Sequence, residues 1–433
     1  MIFLTFVLPR KRFTGLRPVL SSALFIALTA TSVTSSAQVS DFASYKQSSM
    51  LTEQESVRRG LARPEITILL NATLDSAKSE ILDAGRWPNP TLAYQRESTP
   101  SNAGRNIEQT YLVSQQLDLS GKRSLRRDAA QQRFSATQAE IDQRQIDLAT
   151  EIRHRFYEVL YRQQLMEVTE QWVRRMLLIT DTVKKLNQGG EVAGYDYRRM
   201  KLELANAESR QQAGLADYDK AWQRLAAIVG TRAEKERVTG DLFPEPPRSL
   251  EILLVQLDQR PAIHALQRRA AAFNLERKAA QRDWLPDVTV GLGRKTVEIG
   301  ANRDTGTVAT LSLPLPFFDH NLAGQQRATA QANIVQSEAV LLRMRLEGEV
   351  RGLWQQLQSF SLAVRHHQTQ TTNATKELVR VAEAAYRGGE TGILELLDAY
   401  RTTLEAENRA LELSWQARQV AIELNSITGI ATK

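Results

Sequence analysis

The chain of 433 residues contains no cysteine. That excludes disulfides, thiolate metal sites and a lipid carried on an N-terminal thiol. Long apolar runs are also missing: past the N-terminus no window offers the roughly 20 consecutive apolar residues of a transmembrane helix. A membrane can then be crossed only by another architecture. Histidine is scarce, at positions 154, 264, 320, 366 and 367. None forms an i, i+4 pair or an HExxH motif, and His366 and His367 diverge by about 100° on a helix. They read as solvated helix positions, and no metal or other cofactor is expected. There is no GxxxxGK[ST] loop, so energy coupling is left to another protein. No GxSxG or SxxK element supplies a nucleophile, and the glycine-rich "GLGRKTVEIG" lacks the helix a phosphate loop requires. The chain is not expected to be an enzyme.

The N-terminus has its own character. Arg10, Lys11, Arg12 and Arg17 precede the apolar run "VLSSALFIALTA", and "SSA" ends at Ala37. This is the pattern of a secretory signal peptide over residues 1–37. Its removal takes away four positive and no negative charges, so the net charge falls from +7 to +3. The pI of about 9.5 is therefore no argument for nucleic acid as a partner.

Internal repetition organises the rest. "NQGGEVAGYDYRRMKLELANAE" (187–208) matches "YRGGETGILELLDAYRTTLEAE" (386–407), with Gly190 and Gly389, Glu191 and Glu390, Asp196 and Glu395, and Glu208 and Glu407 all 199 apart. The pairs Gly230 and Gly429 keep that offset, while Pro88 and Pro286, and Leu117 and Leu315, lie 198 apart. "ARPEI" and "QRPAI" extend the likeness toward the mature N-terminus. Each copy has a proline-marked start, two strand-like runs, a very long helix, a glycine turn and a shorter helix. The expected first repeat spans 38–240, with strands about 90–97 and 107–119 and helices about 121–186 and 195–229. A linker at 241–248 contains "PEPP". The second repeat spans 249–433, with strands about 287–299 and 306–316 and helices about 321–386 and 393–428.

Proline is absent between Pro100 and Pro244 and after Pro316, which allows each long helix to reach about 100 Å at 1.5 Å per residue. Leu165, Val168, Trp172, Met176, Ile179, Val183 and Leu186 follow the 3 and 4 spacing of a coiled-coil stripe. The strand runs alternate and have the length that crosses a bilayer when tilted. Four strands cannot close a barrel, and lipid cannot satisfy an open edge, so oligomerisation must close it. The expectation is a conduit across the envelope.

At these residues the chain resembles the TolC family of outer-membrane efflux channels. The carriers are "RWPNP", "QQLDLSGKR", "EIRHRFYEVLYRQQ", "LSLPLPFFDHN" and "AAYRGGETGILELLDA", and the first and fourth are most similar to the CzcC-type heavy-metal branch. The resemblance implies a mainly α fold with a membrane β-barrel: a homotrimer whose 12-stranded barrel lies in outer-membrane lipid and continues as a periplasmic α-helical barrel. It implies a Gram-negative outer-membrane location and two partners, a periplasmic adaptor protein and an inner-membrane RND-type pump. The chain would be the passive exit duct, for heavy-metal cations in the first place. Drug efflux or type I secretion by the same channel, and a periplasmic coiled-coil scaffold without a pore, stay open.

Gly189, Gly190, Gly388 and Gly389 are expected where the helices reverse at the tunnel entrance, the candidate adaptor-docking tip. By resemblance, Tyr386 holds the closed aperture, Glu395 and Asp398 ring the constriction, and Asp196 is the acidic partner in the first copy. Thr391 stands where a well-known member carries an arginine, so that arginine's gating ion pair is absent. Apart from resemblance, Glu395 and Asp398 share a helix face at i, i+3 and would gather six carboxylates in a trimer, favouring cations. The alternative is that they sit in a first turn for the sake of the helix dipole.

Overall fold

The computed structural model describes residues 50–101, 104–230 and 235–429; the expected signal peptide lies outside them. Two short helices, α1 (Glu53–Leu61) and α2 (Pro64–Gly85), lead into strands β1 (Thr91–Ser101) and β2 (Gly104–Leu117), the long helix α3 (Lys122–Gln188) and α4 (Gly194–Val229). The order then recurs. The short α5 (Leu250–Gln256) and α6 (Pro261–Gln281) precede β3 (Val288–Ile299), β4 (Asn302–Ser312), α7 (Leu322–Arg387) and α8 (Ile393–Thr428). No helix among the described residues is long and apolar enough to cross a membrane.

The four strands form one antiparallel sheet in the order β1-β2-β3-β4. One face carries Leu92 of β1, Val113 of β2 and Leu292 of β3 in register, with the Tyr94 and Tyr111 rings beside them, their centroids 4.8 Å apart and their planes tilted by 35°. All five side chains are exposed in the protomer. On the opposite face Ala93, Ser114, Gly291 and Thr310 are small or polar, with Leu112 and Val308 among them. An apolar face of this kind needs a covering that the protomer does not supply.

The hairpins are longer than the sequence pattern indicated. The expected polar loop Thr99–Asn106 is mostly paired, with Thr99 opposite Asn106 and Pro100 opposite Arg105. β4 begins at Asn302, before the expected strand start at about 306, and stops at Ser312 before Pro314 and Pro316. β2 stops at Leu117 because Asp118 turns the chain. A ladder is bonded through its backbone, whereas alternation of side chains reports only where one face is apolar. Polar strand ends therefore escape the pattern.

The RP motifs now acquire a physical role. In each repeat the proline occupies the first turn of a helix, where its missing N–H costs nothing, and the preceding arginine reaches the end of the shorter helix. Arg63 Nη1 donates to the carbonyls of Ala227 (2.7 Å) and Ile228 (3.3 Å), and Arg260 Nη1 donates to those of Ile427 (2.8 Å) and Ser426 (3.3 Å). A cation thus closes the negative end of α4 and of α8.

Three apolar clusters hold the helices together. Phe156, Leu160, Trp222 and Leu225 join α3 to α4, with Leu51 and Val238 bridged through their backbones beside them. Leu253, Val350 and Val420 join α5, α7 and α8, with Leu257, the residue after α5, beside them. The third cluster, near the helix reversals, is built on Trp172, Met176, Met200 and Tyr400. The residues expected to form a linker are packed, since Leu242 is buried in the first cluster and Arg418 donates to the carbonyls of Asp241, Leu242 and Phe243. Helix α6 packs on both α3 and α7, whereas α2 packs on α3 and leaves Ile68, Leu69 and Leu82 exposed.

Candidate functional site at the helix reversals

Both reversals use the same backbone device. At the end of α3 the Glu191 amide bonds to the Leu186 carbonyl (2.9 Å), and at the end of α7 the Glu390 amide bonds to that of Ala385 (2.9 Å). These bonds close a Schellman-type turn that requires one residue at positive φ. Gly190 (φ 81°) and Gly389 (φ 72°) supply it. Gly189 and Gly388 remain right-handed, at φ −77° and −76°. All four glycines lie at the reversals, and in each pair only the second needs to be glycine on conformational grounds.

Helix α8 then presents two faces. Ile393, Leu396, Leu397 and Tyr400 are buried against Met200 and Trp172, which leaves Glu395 and Asp398 exposed on the other side. The two carboxylates line one groove of about 570 Å³, together with Arg199, Thr391, Leu394 and Arg401. Glu395 Oε2 folds back to 3.0 Å from where a Cβ on the N-cap Gly392 would lie, the posture of a first-turn carboxylate answering the helix dipole. Asp398, one turn further, has no such task.

Arg199 was not singled out by sequence, yet it lines the same groove. The signal was available, because Arg199 and Asp398 stand 199 apart and are therefore the same position of the two repeats, carrying opposite charges. A second basic group, Arg401, makes an ion pair from α8 to Glu203 of α4. That pair ties the two shorter helices together at the side of the groove.

Asp196 sits half-buried in the first turn of α4. The field of Asp196 reaches Tyr386: burial first, and this negative charge second, raise the phenol above its ordinary pKa. The Tyr386 hydroxyl is buried and finds no hydrogen-bond partner, and neither does Thr391 Oγ1. Within the protomer Tyr400 ties α8 to α7: its hydroxyl donates to Glu383 Oε1 at 2.5 Å while Arg387 holds the other oxygen at 3.1 Å. Burial and then the Glu383 bond push the Tyr400 phenol upward, so it stays protonated as the donor. No group of three or more histidine, aspartate or glutamate side chains among the described residues could hold a metal ion.

The model of the outer membrane efflux protein family matches residues 64–231 and 255–430, one match for each repeat. The chain belongs to the outer membrane efflux protein family. It is 28% identical over 367 residues to the cobalt-zinc-cadmium resistance protein CzcC of Cupriavidus metallidurans, covering 82% of this chain and 84% of that protein. The nickel and cobalt resistance protein CnrC of the same organism is 25% identical over 313 residues, covering 68% and 70%. Crystal structures of CusC, described by their transmembrane channel formation, superpose with a TM-score of 0.71 at 16% identity over 87% of this chain and 91% of that one. The fold is that of the efflux channels, an α-helical barrel joined to a β-barrel, and the family conducts substrates without transforming them.

Proposed function

We propose that this outer membrane efflux protein is the exit duct of a tripartite pump and that its cargo is heavy-metal cations. The observation that carries the duct is the incompleteness of the protomer. Its sheet has two outer edges, on β1 and β4, that pair with nothing among the described residues. Lipid tolerates no such edge. The helices make the same demand, since α6 lies between α3 and α7 while α2 packs chiefly on α3 among the described residues. A neighbouring copy that brings its α7 to α2 and its β4 to β1 repeats the internal packing, and three copies then make a barrel of 12 strands. Trimer, outer-membrane lipid, periplasmic adaptor and RND-type pump are the assembly this reading requires.

The metal cargo is supported by the relatives, one named for cobalt, zinc and cadmium resistance and one for nickel and cobalt. Glu395 and Asp398 form the acidic mouth with Asp196 as the acidic partner from the first repeat, and the turns at Gly190 and Gly389 form the tip offered to the adaptor. Arg199 and the Arg401–Glu203 pair moderate that charge and stand in for the arginine that Thr391 replaces. Removing the protein from its host tests the cargo. Sensitivity rising for cobalt, zinc, cadmium or nickel and unchanged for organic drugs is the expected result; the reverse pattern would transfer the duct to organic cargo.

A further inference from the structure

Charge is sorted between the two faces of the sheet. The strands carry four arginines, one each, and the register places all four on the face of Leu92, Val113 and Leu292: Arg96 opposite Gln109, Arg105 opposite Pro100, Arg294 opposite Tyr111 and Arg303 opposite Glu298. Three of the four acidic strand residues lie on the other face. Glu97, Glu108 and Asp304 fall in one cross-strand row through Val297, and Lys295 answers Glu108 at 2.5 Å on that same side. The exception is Glu298, which holds Arg303 at 3.3 Å. Arg96, Arg105 and Arg294 are exposed and make no ion pair among the described residues. Charges that serve solubility alone are mixed in sign, so a face with four arginines and one carboxylate is addressed to an anion.

The arginines also keep to one half of that face. Toward the long helices it shows Gln115, Leu117, Val288, Val290 and Leu311 and no charge; Arg294 is the first cation, and the other three lie beyond it toward the hairpin turns. They form two pairs of one geometry. Arg96 and Arg294 straddle β2, and Arg105 and Arg303 straddle β3, each pair offset by two residues. At about 4.8 Å per strand and 3.3 Å per residue, the Cα atoms of each pair are roughly 12 Å apart. Two arginine side chains can meet across that span over a single headgroup. An arginine turned to hydrocarbon at mid-depth is strongly destabilising, and the cost fades only near the interface. Beside phosphate the same residue stabilises, because the guanidinium fork matches two phosphate oxygens at once.

We propose that Arg96, Arg105, Arg294 and Arg303 bind the phosphate groups of an anionic lipid in the leaflet around the hairpin end of the barrel, the outer leaflet in the assembly proposed above. The lipid's acyl chains lie along Leu92, Val113 and Leu292, and its headgroup lies against the arginines. A lipid fits better than a soluble anion because the cations continue the apolar face without a gap: Arg294 is the cross-strand neighbour of Tyr111, which is itself opposite Tyr94. The proposal rests on the outer-membrane reading and is tested apart from conduction.

Native mass spectrometry of the detergent-solubilised full-length oligomer, titrated with diphosphorylated lipid A, reads the site. The wild type should retain the lipid, and the Arg96→Gln, Arg105→Gln, Arg294→Gln, Arg303→Gln quadruple variant should hold it about tenfold or more weakly. Two double variants, Arg96→Gln, Arg294→Gln and Arg105→Gln, Arg303→Gln, keep the test open should the quadruple variant fail to assemble; each should lose part of the affinity. Glu97→Gln, on the opposite face, is the control and should bind as the wild type does. Equal retention by the wild type and both double variants would overturn the proposal. So would phosphatidylethanolamine held as firmly as lipid A, which would reduce the face to an unselective lipid contact, or inorganic phosphate bound as firmly, which would assign the arginines to a soluble anion. Planar-bilayer conductance of the same preparations reports on the duct separately: an oligomer that conducts and shows no preference for lipid A would sink the site and leave the duct standing.

Discussion

Replacing Arg63 with alanine removes the cation that closes α4. Two carbonyls of the last turn, Ala227 and Ile228, lose a charged donor, and Gly230, in the left-handed conformation after the helix, loses the aliphatic stem that lies against it. A hydrogen bond from a charged group contributes about 1.5–3 kcal/mol, and a cation at a helix C-terminus about 0.3–1 kcal/mol more. The Arg63 side chain is 31% exposed and leans partly on Glu65, so water recovers part of this and about 1.5–3 kcal/mol remains as the net loss. At about 1.4 kcal/mol per tenfold, the amides of Leu225–Gly230 should exchange with deuterium roughly 10- to 100-fold faster in Arg63→Ala. Arg63→Lys keeps the charge without the fork and should fall between. Hydrogen exchange read on the peptide spanning the end of α4 is the assay, with Arg260→Ala and the end of α8 as the internal repeat. Unchanged exchange at both ends would mean that water caps these helices equally well, and the RP motif would be reduced to a helix start.

Further expectations concern packing and pH. A Cβ on Gly60 would meet Ile152 Cδ1 at 2.4 Å, so Gly60→Ala should destabilise by about 1–3 kcal/mol. Ile152→Val removes the offending methyl, so the double variant should be less destabilised than the two single variants added together, by thermal melting of the detergent-solubilised protein. Asp118 presides over the start of α3. Partial burial pushes its carboxyl up, but the Ser120 hydroxyl and the amides of Arg123, Ser120 and Gly121 together hold it below the usual carboxylate range. A depressed pKa stabilises above the unfolded value of about 4 and is lost as pH falls through the folded value. Pepsin cleavage around Lys122–Leu125 should therefore rise steeply at the acid end, and Asp118→Ala should show elevated exchange there already at neutral pH, by about 1 kcal/mol.

Most of the architecture was legible because it is written twice. The constant offset between Gly190 and Gly389 marks both reversals, and the absence of proline marks both long helices. Sequence alternation defined the strands only where one face is apolar, which is why the polar hairpin ends at Thr99–Asn106 and Asn302–Thr305 were read as loops. Partners across helices were the least legible. Tyr386 and Tyr400 both lie near the α7–α8 reversal, and only the relative rotation of the two helices decides that Tyr400 meets Glu383 while Tyr386 is buried unbonded. Arg199 could have been found by setting Asp398 against its equivalent in the first repeat. The packing of Leu242 could not, since nothing in "DLFPEPP" tells an ordered strap from a free linker.

The acidic mouth is the claim on which the functional reading turns. Six carboxylates at about one Debye length, 8 Å, attract a monovalent cation by roughly 1 kcal/mol after screening and a divalent one by twice that. Conductance of the purified wild-type protein in a planar bilayer, beside the Glu395→Ala, Asp398→Ala double variant, measures this directly. Discrete cation-selective steps that millimolar divalent cations block in the wild type and not in the variant are the predicted result; steps of equal selectivity and equal block in both proteins would contradict it.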